Sequence, residues 1–102
     1  GEPIVSSEII APPKVLVQAG SKQKVVLENK GGNSASFISS VELLNDSSAS
    51  FKVVSELNMT LLDLSEKVSI EIEHTGNNKS EKAELKITYN GAKAKYITLI
   101  SD

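Results

Sequence analysis

The stretch "KVSIEIE", Lys67–Glu73, puts Val68, Ile70 and Ile72 on one parity and Ser69, Glu71 and Glu73 on the other. Successive side chains of an extended chain point to opposite faces, so this run makes a strand with one buried and one wet side. A helix would scatter the same residues around its circumference. The pattern recurs in "KVLVQ" (Lys14–Gln18), "QKVVLEN" (Gln23–Asn29), "SFISSVELL" (Ser36–Leu44), "SFKVV" (Ser50–Val54), "AELKITY" (Ala83–Tyr89) and "KYITLI" (Lys95–Ile100). Seven such runs constrain the chain to an all-β fold.

Between the runs lie "KGGNS", "NDSSA", "HTGNNKSE" and "NGA", the residues that turns demand. In the second run Val25 and Leu27 face inward. In the third, Ser39-Ser40 shifts the phase between Ile38 and the Val41/Leu43 pair, which predicts a β-bulge. The stretch "SELNMTLLDLSEK" (Ser55–Lys67) reads as a loop or short strand, and residues 1–12 as a loose lead-in or first strand. For the last hairpin, a three-residue loop ending on Gly91 pairs Leu85 with Lys95 and Ala83 with Ile97. That register keeps Leu85, Ile87, Ile97 and Leu99 on one face, where a two-residue Asn90-Gly91 turn would not. The Gly31-Gly32 pair is a turn, since a phosphate cradle needs a helix after its glycines and here a strand follows.

The 102 residues amount to one domain. Cysteine is absent, so neither disulfides nor thiolate metal sites contribute. All eleven basic residues are lysine and the net charge is −2, a balance without the guanidinium forks and basic excess of a nucleic-acid binder. No apolar run approaches the roughly 18–20 residues that span a bilayer. The opening "GEPIVSSE" has neither a basic nor an apolar signal-peptide region, so the compartment is not legible there.

Side chains for chemistry are sparse. His74 is the single histidine, with Glu71 and Glu73 as acidic neighbours, and it reads as the start of a turn at a solvated strand edge. The serines form no Gly-x-Ser-x-Gly elbow, and Glu81 and Glu84 sit among lysines on polar faces. These patterns favour a non-enzymatic domain without cofactor or metal. The lysines crowd the first two and last two runs and the acids crowd the middle, which suggests two basic areas flanking an acidic one. Lysine in such runs guards strand edges. Asn45-Asp46-Ser47, Asn58-Met59-Thr60 and Asn78-Lys79-Ser80 fit the glycosylation acceptor pattern in or beside loops.

The succession from Pro12 onward resembles an immunoglobulin-like family of bacterial and archaeal surface proteins. Asn29-Lys30-Gly31 matches its Asn-x-Gly turn, Ile38-Ser39-Ser40 its bulged strand, and Phe51-Lys52-Val53 its Phe-x-Val strand. Leu64-Ser65-Glu66 stands where that family has Leu-x-Pro-Gly, and His74-Thr75 replaces a proline. The same sandwich superfamily includes ciliary and centrosomal modules, the sperm-protein cytoskeletal fold and the first domain of periplasmic pilus chaperones. "PPKVLVQAGSKQKVVLEN" is similar to the start of those chaperones, with Lys14 nearest their carboxylate-holding basic residue. The resemblance implies an immunoglobulin-like antiparallel β-sandwich of about seven strands. It also implies a non-catalytic spacer, assembly or adhesion module, extracellular or at the cell surface, whose partners are proteins. A periplasmic, strand-accepting, chaperone-like module is the alternative. A monomer without membrane insertion is expected. Contacts are expected at a sheet edge in Lys14–Gln18 or Lys95–Ile100, through Lys14, Val15, Val17, Lys95 and Ile97. End loops carrying Asn33 and Asn78 are the other expected surfaces.

Overall fold

The structure is a computed structural model that describes residues 3–5, 7–55, 57 and 59–102. Nine strands form among these residues: β1 (Glu8–Ile10), β2 (Lys14–Val17), β3 (Lys22–Lys30), β4 (Ser36–Leu44), β5 (Phe51–Val53), β6 (Thr60–Leu62), β7 (Lys67–His74), β8 (Lys82–Tyr89) and β9 (Lys93–Ser101). One sheet has the order β1-β3-β7-β5 and the other β2-β9-β8-β4-β6. Each alternating run becomes a strand. The count exceeds seven because Glu8–Ile10 and Thr60–Leu62, short stretches with few alternating positions to reveal them, also pair.

Alternation builds the core. Val25, Leu27, Ile70 and Ile72 from the first sheet meet Leu85, Ile87, Ile97 and Leu99 from the second, and all are inaccessible to solvent or nearly so. Burying one such side chain stabilises the fold by about 1.5–3 kcal/mol. The bulge falls where the sequence places it: the β4–β8 register shifts between Ile38 and Ser40, and Ser39 Oγ donates to the Thr88 carbonyl at 3.1 Å. Ile38 and the Val41/Leu43 pair thereby all turn toward the core.

Three expectations are corrected. The sheets are not wholly antiparallel, because β2 runs parallel to β9, with Lys14 beside Thr98 and Val17 beside Ser101. Pro12 and Pro13 cause this: lacking N–H donors, they cannot continue a ladder, so the chain leaves the first sheet after β1 and enters the second at β2. The last hairpin pairs Leu85 with Ile97 and Tyr89 with Lys93, two residues from the expected register but on the same face. Its loop is Asn90-Gly91-Ala92, with Asn90 and Gly91 in the left-handed region (φ 47° and 88°). Asn90 takes that position because its side chain fastens neighbouring strands, accepting from the Phe37 N–H at 2.9 Å and donating to Ser36 Oγ at 3.2 Å. Finally, charge is not segregated into blocks. Pairing of β3 with β7 sets Lys22 opposite Glu73, Lys24 opposite Glu71 and Glu28 opposite Lys67, alternating the sign on the outer face.

The molecule extends 55 × 21 × 20 Å. At one pole, the N-terminal pole, Pro3–Val5 lies against the β3–β4 loop, beside the β6–β7 and β8–β9 loops. At the C-terminal pole, Ser101 and Asp102 meet the β2–β3 and β7–β8 loops.

Candidate functional site

Each pole closes on buried polar side chains. At the N-terminal pole Asn29, the last inward residue of β3, is fully buried. Its Nδ2 donates to the carbonyls of Leu62 (2.9 Å), Asp63 (3.2 Å) and Ser34 (3.3 Å), and its Oδ1 accepts from Ser36 Oγ (3.1 Å). One side chain thus ties two loops to a strand end. The turn read in "NKGG" is present with Gly31 at φ 89°, whereas Gly32 does not adopt positive φ. Nearby, Tyr89 donates its hydroxyl to Glu8 Oε2 and Lys93 Nζ reaches Glu8 Oε1 at 2.7 Å. The bonds from Lys93, then from Tyr89, hold the Glu8 carboxyl below its ordinary range. Burial, then the Glu8 contact, pushes the Tyr89 hydroxyl up to about 12.

At the C-terminal pole His74 overturns the expected solvated turn. It is the final residue of β7, shares the inward parity of Ile70 and Ile72, and has no solvent exposure. Nε2 lies 2.8 Å from Glu81 Oε1, the ring meets Phe51 edge-on at 5.0 Å, and the Gly20 N–H points to Nδ1 at 3.4 Å. The last contact puts the proton on Nε2, which donates to Glu81. Glu81, read as a carboxylate on a polar face, is instead the lid over this ring. An imidazole enclosed on every side presents no lone pair to a substrate, and the dyad acts as a brace between β7 and the β7–β8 loop.

The residues singled out from the sequence do not converge on one place. Lys14 is exposed on β2, an edge of the second sheet; Val15 is half-buried and Val17 fully buried, so both reach outward only through backbone. Lys95–Ile100 is not an edge in the expected sense, because β9 lies between β2 and β8. β2 covers only Thr98–Ser101, however, so Lys93–Ile97 has ladder partners on the β8 side alone. Within that stretch Lys95 is half-buried and Ile97 fully buried. Asn33 sits at the N-terminal pole, accepting from Val5 N–H at 2.7 Å and donating to the Pro3 carbonyl at 2.9 Å. Asn78 is exposed at the opposite pole, where its carbonyl accepts from Ser101 Oγ at 2.9 Å. Of the acceptor asparagines, Asn45 donates to Glu84 Oε1 at 2.6 Å. Asn58 lies outside the described residues. A shallow depression of about 240 Å³ on the outer side of the second sheet is lined by Asn45, Lys82, Ala83, Glu84 and Thr98.

The polar residues that sequence reading missed carry a common signal. Ser7, Asn29, Ser36, His74 and Ser101 are all buried, and each is one more step of an inward alternation: Ser7 before Ile9, Asn29 after Leu27, Ser36 before Ile38, His74 after Ile72, Ser101 after Leu99. Extending the period of two past the last aliphatic residue would have found them.

No family model matches the chain, and no curated protein matches it.

Proposed function

We propose that this chain is an immunoglobulin-like β-sandwich serving as a non-catalytic, in-line structural module of a cell-surface or secreted protein. The observation that carries this reading is the polarity of the fold. Pro3–Val5 is fastened at one pole and Ser101–Asp102 at the other, along a 55 Å axis. A domain whose ends point apart adds its full length to an assembly. The buried His74–Glu81 brace supports a structural use of the few reactive side chains. The surface location rests on the resemblance of the strand pattern alone.

Two copies fused end to end test the spacer reading by small-angle scattering. The expected maximum dimension approaches 110 Å, twice the 55 Å of one copy. A pair folded side by side, little longer than one copy, refutes it.

One observation favours a second reading, a module that accepts a partner's strand. The unpaired flank of Lys93–Ile97 leaves backbone groups free between the start of β9 and the start of β2. Titration with extended peptides would then move the amide resonances of Ala94–Ile97. Changes confined to loops would dismiss this alternative.

A further inference from the structure

Ahead of Pro12-Pro13, β1 ends the first sheet and pairs with β3 only at Glu8, Ile9 and Ile10. Behind them the chain is fixed to the second sheet at once, since the Pro13 carbonyl accepts from the Thr98 N–H at 2.9 Å and β2 follows on β9. Packed sheets stand about 10 Å apart, and the four Cα steps from Ile10 to Lys14 reach at most about 13–14 Å. The connection therefore has little slack. It is stiff as well, because proline fixes its own φ and holds the residue before it extended. The arm ahead of this hinge lies in a recess built by residues behind it. Ile9 is fully buried, and the Glu8 carboxylate accepts from the Tyr89 hydroxyl and, at 2.7 Å, from Lys93 Nζ. Ser7 Oγ donates to the Ser34 carbonyl, and the Ser7 carbonyl accepts from Asn90 Nδ2 at 3.3 Å. Ile10, next to the hinge, leaves 46% of its surface in water.

We propose that β1 is an exchangeable arm: two copies open at Ala11-Pro12-Pro13, and each lays its Glu8–Ile10 against β3 of the other. The recess selects the occupant. It takes an extended segment with an acid between Tyr89 and Lys93 and an aliphatic residue beside it in the core. The arm of a second copy carries that pair by identity, so each contact of the closed chain forms equally well between chains. No sheet gains a strand and no edge has to be free. New contact arises only where the two hinges pass each other beside the twofold axis, and Ile10 is the exposed apolar residue at that place. The short, stiff hinge favours the open form, and the entropy of association opposes it, so concentration sets the balance. The monomer expected from the sequence is then the dilute form.

The chain has no cysteine, so an introduced disulfide reports the exchange directly. Ile10 and Glu28 are cross-strand partners on the outer face, at a separation that a disulfide spans. Ile10→Cys/Glu28→Cys is equilibrated from about 10 μM to about 1 mM, then oxidised and denatured. Chains linked in pairs, at 21.8 kDa or twice the 10.9 kDa of one chain, are expected to gain share as concentration rises. Val26→Cys/Ser69→Cys, across β3 and β7 behind the hinge, should stay at 10.9 kDa throughout. Sedimentation equilibrium of the unmodified chain should show the same rise in mass, and Ile10→Lys, which sets like charges together at the axis, should remove it. Inserting Gly-Ser-Gly between Pro12 and Pro13 gives the closed chain slack and should abolish the linked pairs. The proposal is overturned by disulfides that stay within single chains while concentration or mass rises, by linked pairs equally abundant in the Val26–Ser69 control, or by an insertion without effect.

Discussion

Replacing Asn29 by alanine removes a side chain that satisfies three backbone carbonyls and one hydroxyl at a site without solvent. Water cannot substitute in a packed position, so at least the Leu62 carbonyl is left without its donor. A net hydrogen bond is worth about 1 kcal/mol, and an orphaned buried group costs about 1–3 kcal/mol. Together these give a loss of about 2–4 kcal/mol, the size of a large core deletion. In a domain of this length that lowers the melting temperature by roughly 10–25 °C. Asn33→Ala is the internal control. It deletes the same chemical group from the neighbouring β3–β4 loop, with bonds to Val5 and Pro3, but in an exposed position. Its loss should stay under about 1 kcal/mol, because water replaces the missing partner. Asn29→Asp separates hydrogen bonding from packing, since it fills the same volume but turns an oxygen toward three carbonyl oxygens, and it should destabilise more than alanine does. Urea midpoints with a common slope measure all three. Equal losses at Asn29 and Asn33, or an aspartate variant as stable as wild type, would refute the argument that burial sets the cost.

Tyr89 gives a pH dependence of definite sign. Its hydroxyl is raised from 10.0 to about 12 in the folded state, so its contribution is whole below pH 10 and disappears as pH rises through 12. Tyr89→Phe should flatten the fall of urea midpoints across that window, and a wild-type-like slope would count against a hydroxyl raised first by burial and then by Glu8. At the acid end the sign reverses: the lowered Glu8 carboxyl stabilises above its ordinary 4.5 and loses that contribution as pH falls below it. Lys93→Met should shrink this acid-limb dependence, as followed by circular dichroism against pH. Gly20 has φ 76° and a Cβ there would stand 3.1 Å from the Gly76 carbonyl oxygen, while Gly91 at φ 88° faces open space. Gly20→Ala should therefore cost about 1 kcal/mol more than Gly91→Ala in thermal unfolding, and equal losses would dispose of the clash.

Strand identity was legible wherever three or more aliphatic residues shared a parity, as in Lys67–His74, because burial of one face leaves a strict mark. The bulge was legible for the same reason, as a break in phase at Ser39. β6 was legible only as one of two readings, loop or short strand, of "SELNMTLLDLSEK", because three residues cannot establish a period and the leucines equally suit a helical face. The exchange of sheets at Pro12-Pro13 was hidden: prolines mark an interruption but not which neighbour the chain takes next. His74 was misjudged because polarity outweighed parity. At the end of a core the loops fold over the last inward positions, and a side chain that can bond their carbonyls is worth more there than another aliphatic one.

The parallel register of β2 on β9 has a mechanical meaning. A pull between the two poles drags Lys14–Val17 one way and Thr98–Ser101 the other, along the strands instead of across them. The cross-links joining them carry that load together and give way in one event, whereas peeling a hairpin breaks them singly. Resistance to force is a matter of unfolding rate, not of equilibrium stability. The strand that two prolines deflect from its first sheet thus becomes a clamp near the C-terminal pole.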